Sequence, residues 1–198
     1  MSLAGVPGHG RQGAALHADA RAVLAAWEGP NGSQDALRSL YLEHLDEHPD
    51  AMLRGCHPDH LTASALVVSN DHRRAVLTLH PIVGRWLQTG GHCESHDATL
   101  ADAALREARE ETGIQALTLD PVPVLLSRHE VPCGPVRPSH HLDVQFVAVA
   151  AADAMPVMSN ESLDLGWFAL DDPPEPTDQS LRDLIAAASS RLRGTPSP

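Results

Sequence analysis

The chain has 198 residues, enough for one ordinary domain with an extension and for a sizeable hydrophobic core. Its formal charge of −12, with all 14 basic residues arginine, excludes a broad phosphate-binding surface for long nucleic acid but not a site for small anions. The longest uncharged apolar stretch, around 144–152, is far shorter than the roughly 20 residues a membrane-spanning helix needs, so no membrane span is expected.

Residues 1–13 are Gly-rich and aperiodic and read as disordered. From Ala14 to Glu28, apolar residues recur at helical spacing until Gly29-Pro30-Asn31-Gly32 ends the run. Ser33 reads as the N-cap of a second amphipathic helix that reaches about His48 and stops at Pro49. These two helices form a hairpin extension over 14–58, expected to pack on its own domain, with a homodimer contact as the alternative. Beyond Pro58, Leu61 to Ser69 and Arg74 to His80 read as a β-hairpin, and a short strand near Trp86 to Gln88 precedes a Gly-Gly pair. A helix is predicted from about Thr99 to Thr112, with Gly113 as its C′ residue. Strands follow at Val122 to Val131, His141 to Ala150 and Leu165 to Leu170, then a helix from about Asp178 to Leu192 and a disordered tail, 194–198. The order of elements is α/β, or α+β in the mixed-sheet sense. Three scattered cysteines, Cys56, Cys93 and Cys133, with no secretory leader ahead of them, fit a reducing cytoplasm.

The helix before Gly113 holds Glu107, Glu110 and Glu111 within an arc of roughly 100°. Ala101, Ala104, Leu105, Ala108 and Thr112 fall on a neighbouring stripe, small enough to lie close against a sheet. Like charges at i,i+4 destabilise a helix by only roughly 0.2 to 0.5 kcal/mol, so a solvated acidic face balanced by Arg106 and Arg109 is one reading. A carboxylate face for hard, oxygen-seeking Mg²⁺ or Mn²⁺ is the other.

Gly91 followed by Arg106-Glu107-Ala108-Arg109-Glu110-Glu111-Thr112-Gly113-Ile114 resembles the Nudix box, G-x5-E-x7-R-E-U-x-E-E-x-G-U, where U is aliphatic. The second half matches at every specified position, with Ala108 as the small apolar residue. In the first half, one extra residue places Asp97 at the acidic position, and Ser95-His96 stands where many members have Pro-Gly. The extra residue lies in the loop entering the helix, where Asp97 or Thr99 would cap it. The resemblance extends over roughly 60–175 and implies a Nudix-like α/β/α sandwich over 59–193.

It also implies Mg²⁺- or Mn²⁺-dependent hydrolysis of a diphosphate linkage in a small nucleotide-type substrate. Glu107, Glu110 and Glu111 would be metal ligands, with the Gly90 carbonyl assisting and Arg106 orienting the glutamates. Glu107, or Glu161 in a distal loop, would accept the proton of the attacking water. The alternative is a Nudix-like domain that binds a nucleotide or metabolite without cleaving it.

Arg85 and Arg128 are candidates for phosphate contacts, since guanidinium binds phosphate bidentately. Trp86 reads as core in preference to a base-stacking platform. Strand alternation places His141 and Asp143 on one face, where they could line a substrate pocket. Cys56-His57-Pro58-Asp59-His60 and His92-Cys93-Glu94-Ser95-His96 match no paired zinc-site spacing and read as loop or surface histidines.

Overall fold

The computed structural model describes residues 9–158 and 162–194. Helix α1 (His9–Ala26) starts ahead of the predicted Ala14 and is followed by α2 (Gly32–Glu47). Asn31, not Ser33, caps α2: its backbone is extended, and its side-chain oxygen accepts from the Ser33 and Gln34 amides, both at 3.1 Å. Ser33 donates its own hydroxyl to Asn31, at 2.6 Å.

The strands are β1 (His60–Val68), β2 (Arg74–Leu79), β3 (Trp86–Leu87), β4 (Thr89–His92), β5 (Leu117–Val131), β6 (Ser139–Ala150) and β7 (Asp164–Ala169). They form one mixed sheet in the order β3-β2-β1-β6-β5, with β4 also on β1 and β7 on β2. Strand β1 runs parallel to β6 over its whole length, His60 opposite His141 through Val68 opposite Val149. Its other edge is shared: β2 takes the Val67–Val68 end, and β4 takes residues 62–65. Strand β4 lay outside the expected strands because its Gly-Gly pair has low strand propensity; packing, not propensity, places it there.

Burial alternates along β1 into two cores. Leu61, Ala63, Ala65 and Val67 face α1, α2 and helix α3 (Leu100–Thr112), together with Leu142, Val144, Phe146 and Ala148 of β6. Leu66, Val68 and Val147 face helix α4 (Gln179–Gly194) through Leu181, Leu184 and Ile185. The result is a sheet between two helical layers, with the N-terminal hairpin sharing the layer of α3. The buried stripe of α3 is Leu100, Ala103, Ala104, Ala108 and Thr112, rotated from the predicted one, and Ala101 and Leu105 are only half-buried. Helix α1 also meets the start of α3, where Asp19 accepts from the Leu100 amide at 2.8 Å. No helix among the described residues is long and apolar enough to cross a membrane.

Candidate active site

The acidic site forms where β4 passes between β1 and α3. Gly90 stands opposite Ser64 and Gly91 opposite Ala63. A Cβ on Gly90 would collide with Ser64, 2.7 Å from its Cα, so glycine is what lets the strands approach. Gly91 faces α3, where a Cβ would lie 2.7–2.8 Å from the Glu107 carboxylate. The glycine pair therefore forms a cradle in which the Ser64 side chain and the Glu107 carboxylate lie directly on the backbone of β4.

Helix α3 is set in register with this cradle by its ends. Thr99 caps it through a 3.0 Å bond from the Asp102 amide, and Gly113, at φ 69°, closes it in the left-handed conformation. Arg106 then gathers the charges. Its Nε and Nη2 each donate to Asp97 at 3.0 Å, and Nη2 also donates to the His92 carbonyl at 2.9 Å. Nη1 donates to Glu107 at 2.9 Å and to Glu110 at 3.1 Å. Glu111 accepts from the Gly90 amide at 3.0 Å. Bonding to Asp97, and then to Glu107, raises the Arg106 pKa still further, so its charge is fixed at all working pH.

Gly90, Arg106, Glu107, Glu110 and Glu111 thus meet at one place, although Gly90 lies far from the glutamates in sequence. Three carboxylates on one face of α3, two of them against the glycine pair, offer oxygen donors of the kind a hard divalent cation takes. The residues present fit such an ion.

The other predicted site residues stand elsewhere. Arg85 is exposed and lies 3.8 Å from Asp178, just ahead of α4. Arg128 bonds to His140 at 2.9 Å and lies 3.5 Å from Asp59. Trp86 is buried against Phe168, with ring centroids 4.6 Å apart, as a core residue. Glu161 lies outside the described residues.

His141 and Asp143 do share a face, but Asp143 does not line a pocket. It is 3% exposed, and its carboxylate accepts from Thr62 at 3.0 Å, Ser64 at 2.7 Å and Gln145 at 3.1 Å. The reason is register: β1 and β6 pair Thr62 with Asp143, which buries the carboxylate between strands and makes it support Ser64 beneath Gly90. His141 packs among His60, His92 and His129. Burial, and then the neighbouring imidazoles, pushes His141 down to about 3, and burial followed by His60 pushes His92 down to about 4. His60, buried, and His92, half-buried, are therefore strand residues, not loop or surface histidines.

An open cavity of about 820 Å³ lies between the β1–β2 turn, the end of β7 and α4. It is lined by Asp71, Arg73, Arg74 and Arg193 among others, and none of the acidic-site residues reaches it.

The NUDIX domain model matches residues 58–188 of the chain. A NUDIX-family hydrolase from Clostridium perfringens is similar in structure, with a TM-score of 0.56 at 22% identity, over 67% of this chain and 97% of that one. An Ap4A hydrolase from C. elegans, in a binary complex, gives 0.56 at 17% identity, over 68% and 98%. The NUDIX domain of Shewanella oneidensis NrtR, complexed with ADP ribose, gives 0.55 at 20% identity, over 76% and 97%. At these identities the likeness establishes the fold. No curated protein matches the sequence.

Proposed function

This chain belongs to the Nudix hydrolase family, and on that premise we propose that it hydrolyses a diphosphate linkage in a small nucleoside-diphosphate-type compound, using Mg²⁺ or Mn²⁺. The observation that carries the reading is that Glu107 and Glu111 lie against Gly91 and Gly90 while Arg106 draws Glu110 to Glu107.

Glu107, Glu110 and Glu111, with the Gly90 carbonyl, would hold the cation. When bound, the cation supplies charge neutralisation on the phosphate oxygens and acidifies a water. Glu107 accepts the proton of the attacking water, with Glu161 as the second candidate. Arg106 is a positioning residue, since its fork is committed to Asp97 and its third nitrogen aligns Glu107 and Glu110. Arg85 and Arg128, both partly exposed, are the proposed phosphate contacts. The three described cysteines are free, which supports a cytoplasmic setting.

ADP ribose and Ap4A, the compounds named with two of the similar structures, are natural first members of a substrate panel. Incubation of that panel, nucleoside triphosphates and nucleotide sugars with and without Mg²⁺, followed by product identification, tests the reading. Cleavage at a diphosphate that stops on chelation is expected; recovery of every ligand intact points to a binding domain without hydrolysis.

A further inference from the structure

On the face of the sheet opposite α3, three histidines and a cysteine from four chain segments meet. His60 opens β1, His92 ends β4, His141 lies near the start of β6, and Cys133 sits in the β5–β6 loop. One ligand atom from each lies within 4.8 Å of the others. The His60, His92 and His141 ring centroids are 4.9–5.1 Å apart, and the Cys133 sulfur is 3.9 Å from His92 Nε2.

The hydrogen-bond state of the cluster is unusual for a protein interior. His60 is 1% exposed, and neither of its ring nitrogens has a hydrogen-bond partner. The Cys56 backbone approaches the ring and favours its protonated form, but outside the geometry of a formed hydrogen bond. His141 Nε2 is also buried without a partner. Each such nitrogen forfeits roughly 1 to 3 kcal/mol unless something else engages it.

The cysteine is presented to the cluster by a fixed loop. Ser139 donates to the carbonyls of Val131 and Cys133, at 2.7 and 2.8 Å. Gly134, at φ 72°, packs so closely on the His57 ring that a Cβ there would collide with it. Nothing in the acidic site uses any of the four side chains.

We propose that His60, His92, Cys133 and His141 form a structural Zn²⁺ site. Three imidazoles and one thiolate are a borderline-soft, tetrahedral donor set, and four protein ligands leave no open position for a reacting water. Mg²⁺ prefers six oxygens, so the glutamates and this cluster select different metals. Zinc–nitrogen bonds of about 2.0–2.1 Å and a zinc–sulfur bond of about 2.3 Å require ligand atoms roughly 3.3 to 3.6 Å apart. Contraction from the present spacing moves each side chain by about 1 Å or less. Binding displaces the Cys133 thiol proton to solvent and leaves the imidazoles neutral.

The site braces the active centre. His92 follows the glycine pair directly, and its carbonyl accepts from Arg106 at 2.9 Å. Zinc would thereby tie β4 to β1, β6 and the β5–β6 loop at the point where Arg106 is anchored.

The experiment is elemental analysis of protein purified without a histidine tag, followed by replacement of the metal with Co²⁺. One zinc per chain, retained after Mg²⁺ is removed, is expected, and the Co²⁺ form should show a thiolate-to-cobalt charge-transfer band. Cys133→Ser should abolish that band and weaken zinc binding tenfold or more, while Glu110→Gln leaves both intact. Absence of the band from the wild-type Co²⁺ protein would overturn the site whether or not Cys133→Ser folds. So would zinc retention that is lost in Glu110→Gln and kept in Cys133→Ser. Neither readout depends on substrate, so failure here is distinct from failure of the proposed hydrolysis.

Discussion

Arg106 grips Asp97, nine positions upstream, with a two-pronged pair of 3.0 Å hydrogen bonds, and the Asp97 side chain is only 3% exposed. Asp97 also accepts from the Glu94 amide at 2.7 Å, which folds the loop carrying the extra residue into a compact turn. The insertion before the helix is thus absorbed without moving Arg106 off the glutamates. Removing the guanidinium with Arg106→Ala leaves a buried carboxylate unpaired, so a stability loss of about 3 kcal/mol or more is expected in urea denaturation. Arg106→Lys, which keeps the charge but not the fork, should lose less. Equal losses for both would show that charge without the fork contributes nothing, and an Arg106→Lys protein as stable as wild type would show that the fork geometry contributes nothing.

The two glycines should fail in different ways. In Gly90→Ala the new Cβ meets the Ser64 side chain and backbone, so β4 must shift; a stability loss of about 1 to 3 kcal/mol is expected by thermal or urea unfolding. In Gly91→Ala the new atom meets the Glu107 carboxylate, which can swing away. That variant should stay nearly as stable and lose on the order of 10²-fold in kcat through misplacement of Glu107. An active, unaltered Gly91→Ala protein would remove Glu107 from the reacting centre.

The acidic helix and its glycine stop were legible in the sequence because their residues are local: a helix face, a cap and a glycine are all set by near neighbours. The long strands were legible for the same reason, through their β-branched runs. Strand β4 was not, because Gly90 and Gly91 occupy it for the space they leave beneath Ser64 and Glu107. Pairing of Thr62 with Asp143 buried a carboxylate that alternation alone placed beside a pocket. The histidine cluster was illegible because His60 and His141 become neighbours only through the parallel β1–β6 pairing, and no short spacing encodes that. Asn31 displaced Ser33 as the cap because an extended backbone lets its longer side chain reach two amides at once.

The N-terminal hairpin is an integral part of the core. Gln34 imitates a strand partner: its side chain donates to the Leu126 carbonyl at 3.0 Å and accepts from the Leu126 amide at 2.7 Å. Gln34→Ala leaves both buried groups unpaired, and a loss of about 2 kcal/mol is expected in urea denaturation. A change below about 0.5 kcal/mol would mean that water takes over both bonds and that the hairpin docks through its apolar face alone.

Tyr41 makes a similar attachment through a single hydroxyl, which also lies 3.4 Å from the Asp143 carbonyl. Its hydroxyl donates to the Ser127 carbonyl at 2.8 Å, and burial, with the nearby Asp143, raises its pKa well above the ordinary value. Tyr41→Phe keeps the packing and removes the bond, so a loss of about 1 kcal/mol is expected, smaller than for Gln34→Ala. A larger loss than for Gln34→Ala would reverse the assignment of the main polar anchor.

The central claim is that Glu107, Glu110 and Glu111 act together with a divalent cation to cleave a diphosphate. Its most direct test is kcat for the best panel substrate, measured across an Mg²⁺ titration for the wild-type protein and for Glu107→Gln, with folding verified by circular dichroism. Saturable Mg²⁺ dependence in the wild type and a loss of about 10²-fold or more in the variant are predicted. Turnover without a divalent metal, or a Glu107→Gln protein within a few-fold of wild type, would contradict it.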